Sequence, residues 1–185
     1  MLGEPWIVLT ALWVGWGYPF IFRAPHWQKR TSIAASAPSA IGISLEVLAI
    51  FGAFVFRLPP GSSPGVARVA GSMIFGLLGV MLAWTSVRHL GRQFRIRAGL
   101  WEDHELIRTG PYAVVRHPIF ASLLAMLLST LLLLTPWRWA LVLVAVFLVG
   151  TEIRVRTEER LLASRFQDAF REYRKKVPAY LPFVR

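Results

Sequence analysis

The chain has 185 residues, of which 55% are hydrophobic and 17% are charged, and it carries a formal net charge of +11. This composition argues against an ordinary soluble domain, in which about 25% of the residues are charged. Because the chain contains no cysteine, disulfides, a thiolate nucleophile and cysteine-ligated metals are excluded.

Five apolar segments follow one another along the chain and predict membrane-spanning helices. They cover residues 5–22, 39–56, 66–87, 118–135 and 136 to about 150. A spanning helix needs about 20 residues, within a working range of roughly 17–25. The fifth segment is short for a span unless its helix continues into the polar sequence that follows. The first has no basic region before it and no small-residue cleavage site after it, so we interpret it as a retained span and not as a signal peptide.

Basic residues are concentrated between the apolar segments, and their distribution predicts the orientation of the protein in the membrane. Eighteen of the 21 Lys and Arg residues lie in residues 23–38, 88–117 and 152–185. With five spans and the N-terminus outside, all three basic segments fall on the cytoplasmic side, as the positive-inside rule requires. A long loop and the C-terminal tail then share that side. This layout argues against nucleic acid as the partner, because nucleic-acid binding needs one continuous basic face.

The fourth and fifth apolar segments are separated by a very short turn at Pro136, which predicts an antiparallel helical hairpin. In the tail, Leu162, Phe166, Phe170 and Tyr173 recur at spacings of four, four and three. This periodicity predicts an amphipathic helix that ends before Pro178. We therefore expect an all-α integral membrane protein with a single domain over residues 1–185. Residues 1–87 form three spans, and residues 88–185 form the loop, the hairpin and the C-terminal helix.

The sequence Arg116-His117-Pro118 stands where the fourth span begins. Proline is favoured in the first turn of a helix, because its missing N–H has no helical partner there. The free N–H groups and the partial positive charge of the helix N-terminus then face the loop. Together with Arg116 and His117, this corner suits a carboxylate or a phosphate. The alternative is a snorkelling arginine beside an interfacial histidine, with Pro118 marking only the helix start.

Arg154 and Glu158 lie four residues apart, on one face of the helix that leaves the fifth span. An exposed ion pair is the ordinary interpretation of that spacing. Here the pair would face the start of the fourth span, so a functional role is also predicted.

Glu46 lies near the middle of the second span, where an ionisable residue is a functional candidate and a structural carboxyl is the alternative. The sequence names no partner for Glu46.

Several nucleotide- and metal-binding motifs are absent from the sequence. The four histidines form no His-Glu-x-x-His pair, and neither a P-loop nor a Gly-x-Gly-x-x-Gly motif after a strand is present. We therefore expect no metal and no soluble nucleotide-binding fold.

Two stretches near the C-terminus, "HELIRTGPYAVVRHPIF" and "EERLLASRFQDAFREYRKKVPAYLPFV", resemble the isoprenylcysteine carboxyl methyltransferase family. That family is grouped with membrane phospholipid methyltransferases. The resemblance covers about half of the chain and combines Gly-Pro-Tyr, Arg-His-Pro, Glu-Glu and Val-Pro in a fixed order. It implies an integral membrane enzyme that binds S-adenosyl-L-methionine in a pocket between the loop, the start of the fourth span and the tail.

The resemblance also implies roles for individual residues. Arg154 is the candidate catalytic residue, facing the carboxylate of the methyl acceptor, and Arg116 and Glu46 remain candidates for substrate binding. This chain has Phe120, Ala121 and Gln167 where relatives usually have Tyr, Gly and Gly. Ten residues are implied to contact the cofactor: His104, Glu105, Leu106, Ile107, Tyr112, His117, Pro118, Ile119, Phe120 and Glu158.

The function that follows is methyl transfer from S-adenosyl-L-methionine to a lipidic, prenylated or otherwise amphiphilic acceptor at the cytoplasmic side of the membrane. A carboxylate acceptor is already nucleophilic and needs a cation such as Arg154 to hold it. An amine acceptor, as in phospholipid N-methylation, would need a base such as Glu158 or His117. Two further alternatives are an NADPH-dependent enzyme like the membrane sterol reductases, which share Gly-Pro-Tyr and Arg-His-Pro, and a non-enzymatic membrane scaffold. The accepting atom and the oligomeric state stay open.

Overall fold

The computed structural model describes residues 4–22, 32–33, 37–59, 61–94, 100–101 and 104–181. Within these residues the chain forms five helices, one pair of two-residue strands and two 3-10 turns at Gly91–Gln93 and Gly110–Ala113. The helices and strands are α1 Glu4–Phe22, β1 Ser32–Ile33, α2 Ala37–Val55, α3 Val66–Leu90, β2 Leu100–Trp101, α4 Pro118–Leu134 and α5 Trp137–Lys176. The helical architecture is confirmed. The antiparallel strand pair was not predicted, because two residues are too few to show an alternating pattern.

The helix boundaries follow the apolar segments closely, with two extensions. α4 begins at Pro118 as predicted, whereas α3 continues to Leu90 and α5 to Lys176. The turn at Pro136 joins α4 to α5, but α4 packs most extensively on α3, and α5 packs most extensively on α2. The two arms of the predicted hairpin therefore have their main packing partners elsewhere in the bundle. Much of the basic segment 23–38 and residues 95–99 of the long loop lie outside the described residues.

Two helical stretches in the described residues are long and apolar enough to cross a membrane: α2 over Pro38–Val55, and α3 with the 3-10 turn that follows it over Val66–Gln93. Only 33% and 22% of their apolar windows are buried, so side chains such as Phe51 and Ile74 point away from the protein. Apolar surface of this extent suits contact with lipid. The apolar parts of α1 and α4 are shorter, at Trp6–Phe22 and Pro118–Leu134. The five-span arrangement therefore stays a prediction.

α4 lies at the centre of the bundle, with twelve of its 17 residues buried. Small and hydroxyl-bearing residues line its contact with α1 and α3. The Ser72 and Ser129 hydroxyls lie 3.0 Å apart, and the Trp13 indole donates a hydrogen bond to Thr130 Oγ1 at 3.1 Å. A Cβ added to Gly79 would lie 3.0 Å from the Ser122 carbonyl oxygen. Close approach through small residues is the usual way that helices pack in a membrane.

The opposite side of α4 meets α2 and α5 in an apolar core that includes Ala49, Leu127, Leu131 and Phe147. The C-terminal end of α4 is held by Arg68, whose guanidinium donates hydrogen bonds to the carbonyls of residues 131, 132 and 135 at 2.6–3.2 Å. Helix C-terminal carbonyls have no partner within their own helix. Arg68 of the neighbouring helix α3 therefore supplies donors to these carbonyls, of which that of Leu131 also accepts a hydrogen bond from the Thr135 N–H at 3.0 Å.

A kink at Gln167 divides α5. Its φ of 44° and ψ of −114° are not helical, and a positive φ is strained for any residue other than glycine. The prediction of one continuous amphipathic tail helix is wrong in this respect, because Leu162 and Phe166 precede the kink, whereas Phe170 and Tyr173 follow it. The helix then ends at Lys176, as expected from the proline at position 178.

Candidate active site

A cavity of about 450 Å³ opens where α4 begins, between the ends of α1 and α3, the loop before α4, and α5. Its volume falls in the range of small-molecule sites, about 300–1,000 Å³. Glu46 is not on its wall. Arg154, Arg116 and all ten residues that the resemblance assigns to the cofactor line it: His104, Glu105, Leu106, Ile107, Tyr112, His117, Pro118, Ile119, Phe120 and Glu158.

His117, immediately before α4, faces two carboxylates of α5. Its Nδ1 lies 3.3 Å from Glu158 Oε2, and its Nε2 lies 3.5 Å from Glu159 Oε1. Burial lowers the pKa of His117, but its hydrogen bonds to Glu158 and Glu159 outweigh burial and raise the pKa above its usual value. The two carboxylates thus stabilise the protonated form of the imidazole beside the cavity.

The Arg116 guanidinium is held by the C-terminal part of the chain. Nε and Nη2 donate hydrogen bonds to Glu159 Oε1 at 3.0 and 2.6 Å, and Nη1 donates to the carbonyls of Arg174 and Val177. Burial raises the pKa of Glu159, but hydrogen bonds from His117 and Arg116 outweigh it and lower that pKa to about 2. These contacts give Arg116 a structural role, and its predicted role in substrate binding stays a prediction.

The segment that follows α5 is bound along the entrance to α4. The backbone N–H groups of Arg116 and His117 donate to the carbonyls of Pro178 and Ala179, both at 2.8 Å. Ala179 packs in a small core with Phe120. The tail therefore covers one side of the site. The Val177-Pro178 element of the sequence lies in this tail, next to the start of α4.

The Gly110-Pro111 turn brings Tyr112 to the cavity. Gly110 has a φ of 59°, and a Cβ at this position would lie 2.3 Å from Nε2 of His89, so another residue would have a strained backbone and would displace the His89 ring. The Tyr173 hydroxyl donates a hydrogen bond to the Tyr112 carbonyl at 2.5 Å. Burial raises the pKa of Tyr173 to about 12, and burial, with the charge of Glu158, raises the pKa of Tyr112 as well. Both phenols are therefore neutral near physiological pH.

Arg154 lies on the cavity wall and pairs with Glu46 of α2. Its Nη1 is 2.5 Å from Glu46 Oε2, and its guanidinium carbon lies 4.3 Å from the centre of the Phe120 ring. Thr151 Oγ1 donates a hydrogen bond to the other oxygen of Glu46 at 2.9 Å. The sequence named no partner for Glu46. In the structure its partner is Arg154, which lines the cavity, whereas Glu46 does not.

Several wall residues were missed by sequence reasoning. Trp16 and Phe20 of α1 and Gln93 and Phe94 after α3 line the cavity. The Gln93 side-chain oxygen is buried and has no hydrogen-bond partner in the described part of the chain, so a ligand N–H or O–H can satisfy it. No motif marks these positions, because α1 is recognisable by hydrophobicity alone and the motifs of the resemblance begin at His104, after Gln93 and Phe94. In the same described ranges, no group of three His, Asp or Glu residues is arranged to hold a metal ion.

Comparison with known proteins gives consistent matches. Protein-S-isoprenylcysteine O-methyltransferase of Schizosaccharomyces pombe is 37% identical over 83 residues, which are 45% of this chain and 35% of that protein. Protein-S-isoprenylcysteine O-methyltransferase B of Arabidopsis thaliana is 28% identical over 160 residues, 83% of this chain and 78% of that protein. The cobalt-zinc-cadmium resistance protein CzcN of Cupriavidus metallidurans is 30% identical over 115 residues, 60% of this chain and 49% of that protein.

The chain thus spans about a third of the Schizosaccharomyces relative and about half of CzcN. A family model described as the isoprenylcysteine carboxyl methyltransferase (ICMT) family matches residues 72–164, half of the chain. That range contains most of α3, the loop, α4 and the part of α5 that carries Arg154 and Glu158. On the strength of this match, the chain belongs to the isoprenylcysteine carboxyl methyltransferase family.

Proposed function

We propose that the protein is an S-adenosyl-L-methionine-dependent membrane methyltransferase that esterifies the carboxylate of a prenylated or otherwise amphiphilic acceptor. The observation that carries the proposal is the single cavity in which Arg154, Glu158 and His117 meet a largely apolar wall. Family membership and the names of the Schizosaccharomyces and Arabidopsis relatives support the same reaction.

The cavity fits the cofactor in volume and in chemistry. The carboxylate of Glu158 can accept hydrogen bonds from an ammonium group, and Tyr112 and Phe120 offer aromatic surface to a flat ring. The buried oxygen of Gln93 can accept a further hydrogen bond. When bound, the cofactor supplies a methyl group on a positively charged sulfur. The residues of this chain hold it, orient it and exclude water.

At Arg154 the acceptor carboxylate is oriented by charge-assisted hydrogen bonds. Arg154 would hold an oxygen of this carboxylate in line with the methyl group that the bound cofactor would supply. The attacking oxygen of a carboxylate carries no proton, so no general base would be needed. Proximity and the exclusion of water account for the acceleration.

The apolar side of the cavity supports a lipidic acceptor. Trp16, Gly17, Phe20 and Ile21 of α1 form part of its wall, so a prenyl chain can lie among the helices while the carboxylate reaches Arg154. The proposed arrangement has five spans within one domain, with the N-terminus outside and the site on the cytoplasmic side. The concentration of basic residues in three segments supports this orientation.

An amine acceptor is the second candidate, because His117, Glu158 and Glu159 form a cluster beside the cavity. An amine must lose its proton to a base before it attacks. The carboxylate neighbours of His117 raise its pKa, so its protonated form is stabilised relative to that of an ordinary histidine. Glu159 is bound by Arg116. This arrangement of charge favours the carboxylate acceptor.

The test begins with calorimetric binding of S-adenosyl-L-methionine, S-adenosylhomocysteine and NADPH to the detergent-purified protein. We expect both sulfur-containing ligands to bind and NADPH not to bind. Methyl transfer is then measured with N-acetyl-S-farnesylcysteine, with N-acetylcysteine as the unprenylated control, and with phosphatidylethanolamine as the amine acceptor. Ester formation on the farnesylated compound alone supports the proposal. Transfer to phosphatidylethanolamine would instead establish an N-methyltransferase. Binding of NADPH would indicate a reductase-like enzyme. If none of these ligands binds, the protein would be a scaffold.

A further inference from the structure

We infer that Glu46 is a positioning residue, which fixes the Arg154 guanidinium at the cavity wall in the orientation that receives the acceptor carboxylate. The inference rests on the proposed function and deepens it. Glu46 belongs to α2, outside residues 72–164 that the family model matches. Its role follows from its contacts in the folded chain.

Both oxygens of the Glu46 carboxylate are engaged. Oε2 accepts a hydrogen bond from Arg154 Nη1 at 2.5 Å, and Oε1 accepts one from Thr151 Oγ1 at 2.9 Å. The side chain of Glu46 is 2% exposed and that of Arg154 is 10% exposed. A buried ion pair of this kind is costly to break, because either partner alone would be an uncompensated charge. The contact therefore constrains the Arg154 side chain strongly.

A close crossing of α2 and α5 brings the two side chains together. A Cβ added to Gly42 would lie 2.5 Å from Arg154 Cγ and 2.7 Å from the Gly150 carbonyl oxygen, and one added to Gly150 would lie 2.7 Å from the Gly42 carbonyl oxygen. The helices thus meet backbone to backbone at these glycines. Glu46 and Arg154 each follow their glycine by four residues, on the same helix face. The pair is therefore built into the helix crossing.

On its other side the Arg154 guanidinium lies over the Phe120 ring, with 4.3 Å between the guanidinium carbon and the ring centre. The carboxylate and the ring together restrict a side chain that would otherwise have many rotamers. Arg154 lines the cavity, whereas Glu46 does not. Substrate therefore meets Arg154, and Glu46 acts on the reaction through it.

The experiment compares Glu46→Gln, Thr151→Val and Thr151→Ser with the wild-type protein. Glu46→Gln removes the charge that holds Arg154. Thr151→Val removes only the hydroxyl that holds Glu46 and keeps both charges, so it remains informative if Glu46→Gln folds poorly. Thr151→Ser restores the hydroxyl. The matched control is Glu152→Gln, which breaks the i,i+4 pair with Arg156, whose side chain is 62% exposed, on the same helix.

Misplacing a catalytic group by about 1 Å can cost about 100-fold in rate. We expect Glu46→Gln to lower kcat/KM for N-acetyl-S-farnesylcysteine by about that factor, and Thr151→Val by about tenfold. Thr151→Ser and Glu152→Gln should stay within about threefold of wild type. In each variant the dissociation constant of S-adenosylhomocysteine should change by less than about threefold, because its proposed contacts are untouched.

Wild-type kcat/KM in folded Glu46→Gln and Thr151→Val would overturn the inference. So would a parallel loss of S-adenosylhomocysteine affinity and kcat/KM, because a merely structural residue would affect both. If the wild-type protein transfers no methyl group to the farnesylated compound, the proposed function fails, and this inference fails with it. That outcome is recognisable before any substitution is made.

Discussion

Arg116, His117 and Arg154 each form an ion pair with a carboxylate beside the cavity, and each pair has a different consequence. Arg116 with Glu159 holds the tail, His117 with Glu158 forms part of the wall, and Arg154 with Glu46 joins two helices. The candidates Arg154, His117 and Glu158 could be predicted, because each belongs to a short stretch of sequence with a recognisable pattern. The Arg154–Glu46 contact joins residues 108 positions apart, and nothing in the local sequence indicates it.

Substitutions at the wall should separate cofactor binding from turnover. We expect His117→Ala and Glu158→Ala to weaken binding of S-adenosyl-L-methionine about tenfold or more, since each removes a charged hydrogen-bonding group from the wall. Arg154→Ala should change that affinity by less than about threefold and lower turnover by about 100-fold. Calorimetry and methyl-transfer rates measure the two effects, with Glu152→Ala as the control. Unchanged cofactor affinity in Glu158→Ala would contradict the assignment of Glu158 to the cofactor.

The cluster around His117 and Glu159 predicts how stability depends on pH. The pKa of His117 is raised above 6.5 when folded, so its contribution is complete below pH 6.5 and is lost as pH rises through the folded pKa. The pKa of Glu159 is lowered from 4.5 to about 2, so its contribution is complete above pH 4.5 and is lost as pH falls towards 2. We therefore expect this cluster to stabilise the protein most between pH 4.5 and 6.5.

The pH prediction is checked by thermal unfolding in detergent across this range. His117→Gln should flatten the decline on the alkaline side, and Glu159→Gln should flatten the decline on the acid side. An alkaline decline of equal steepness in His117→Gln and in wild type would show that other groups cause it.

Among the helices, α5 differs most from its predicted form. Hydrophobic spacing indicated one amphipathic tail helix, and the kink at Gln167 interrupts it. The kink allows Phe166 to face His104, at a ring-centre distance of 6.2 Å, while Phe170 is buried. Hydrophobic periodicity predicts which face of a helix is apolar. It does not predict a local break in the helix, because the break depends on what the apolar side chains pack against. The resemblance gave one hint, because relatives usually have glycine at position 167.

Replacing Gln167 by glycine should stabilise the protein. A residue held in a sparsely populated backbone region stores about 1–3 kcal/mol of strain, and glycine relieves it at some cost in unfolded-chain entropy. We expect a net gain of about 1 kcal/mol in the free energy of unfolding, measured as a higher Tm in detergent. Glu172→Gly, at an exposed position after the kink, should instead lose about 1 kcal/mol. A lower Tm in Gln167→Gly would refute the strain at this position.

The charge distribution predicts the orientation of the whole chain in the membrane, and two helices in the described residues have the length and composition of a span. The turn between α2 and α3 and the C-terminal part of α5 should therefore lie on opposite sides. Because the chain has no cysteine, single introduced cysteines can report the two sides without further changes.

We expect a membrane-impermeant maleimide to label Ser63→Cys in intact cells and to label Ser164→Cys only after the membrane is opened. Both serines are exposed in the folded chain, so access depends on sidedness. The unsubstituted protein is the control for background labelling. If only Ser164→Cys is labelled in intact cells, the orientation in the membrane is opposite to the proposed one.

Hydrophobic runs, Pro118 and the ordered C-terminal motifs were sufficient to predict the main helices, the start of α4 and ten wall residues that the fold gathers around one cavity. The helices and the start of α4 follow from local backbone preference and from the transfer of apolar segments into lipid, both of which act on neighbouring residues. The ten wall residues were implied by the resemblance to the family. The partner of Glu46, the α1 side of the cavity and the docking of the tail on Arg116 and His117 emerged only from the folded chain. They depend on which helices cross closely enough, at Gly42 and Gly150, for distant side chains to meet, and that proximity has no counterpart in local sequence pattern.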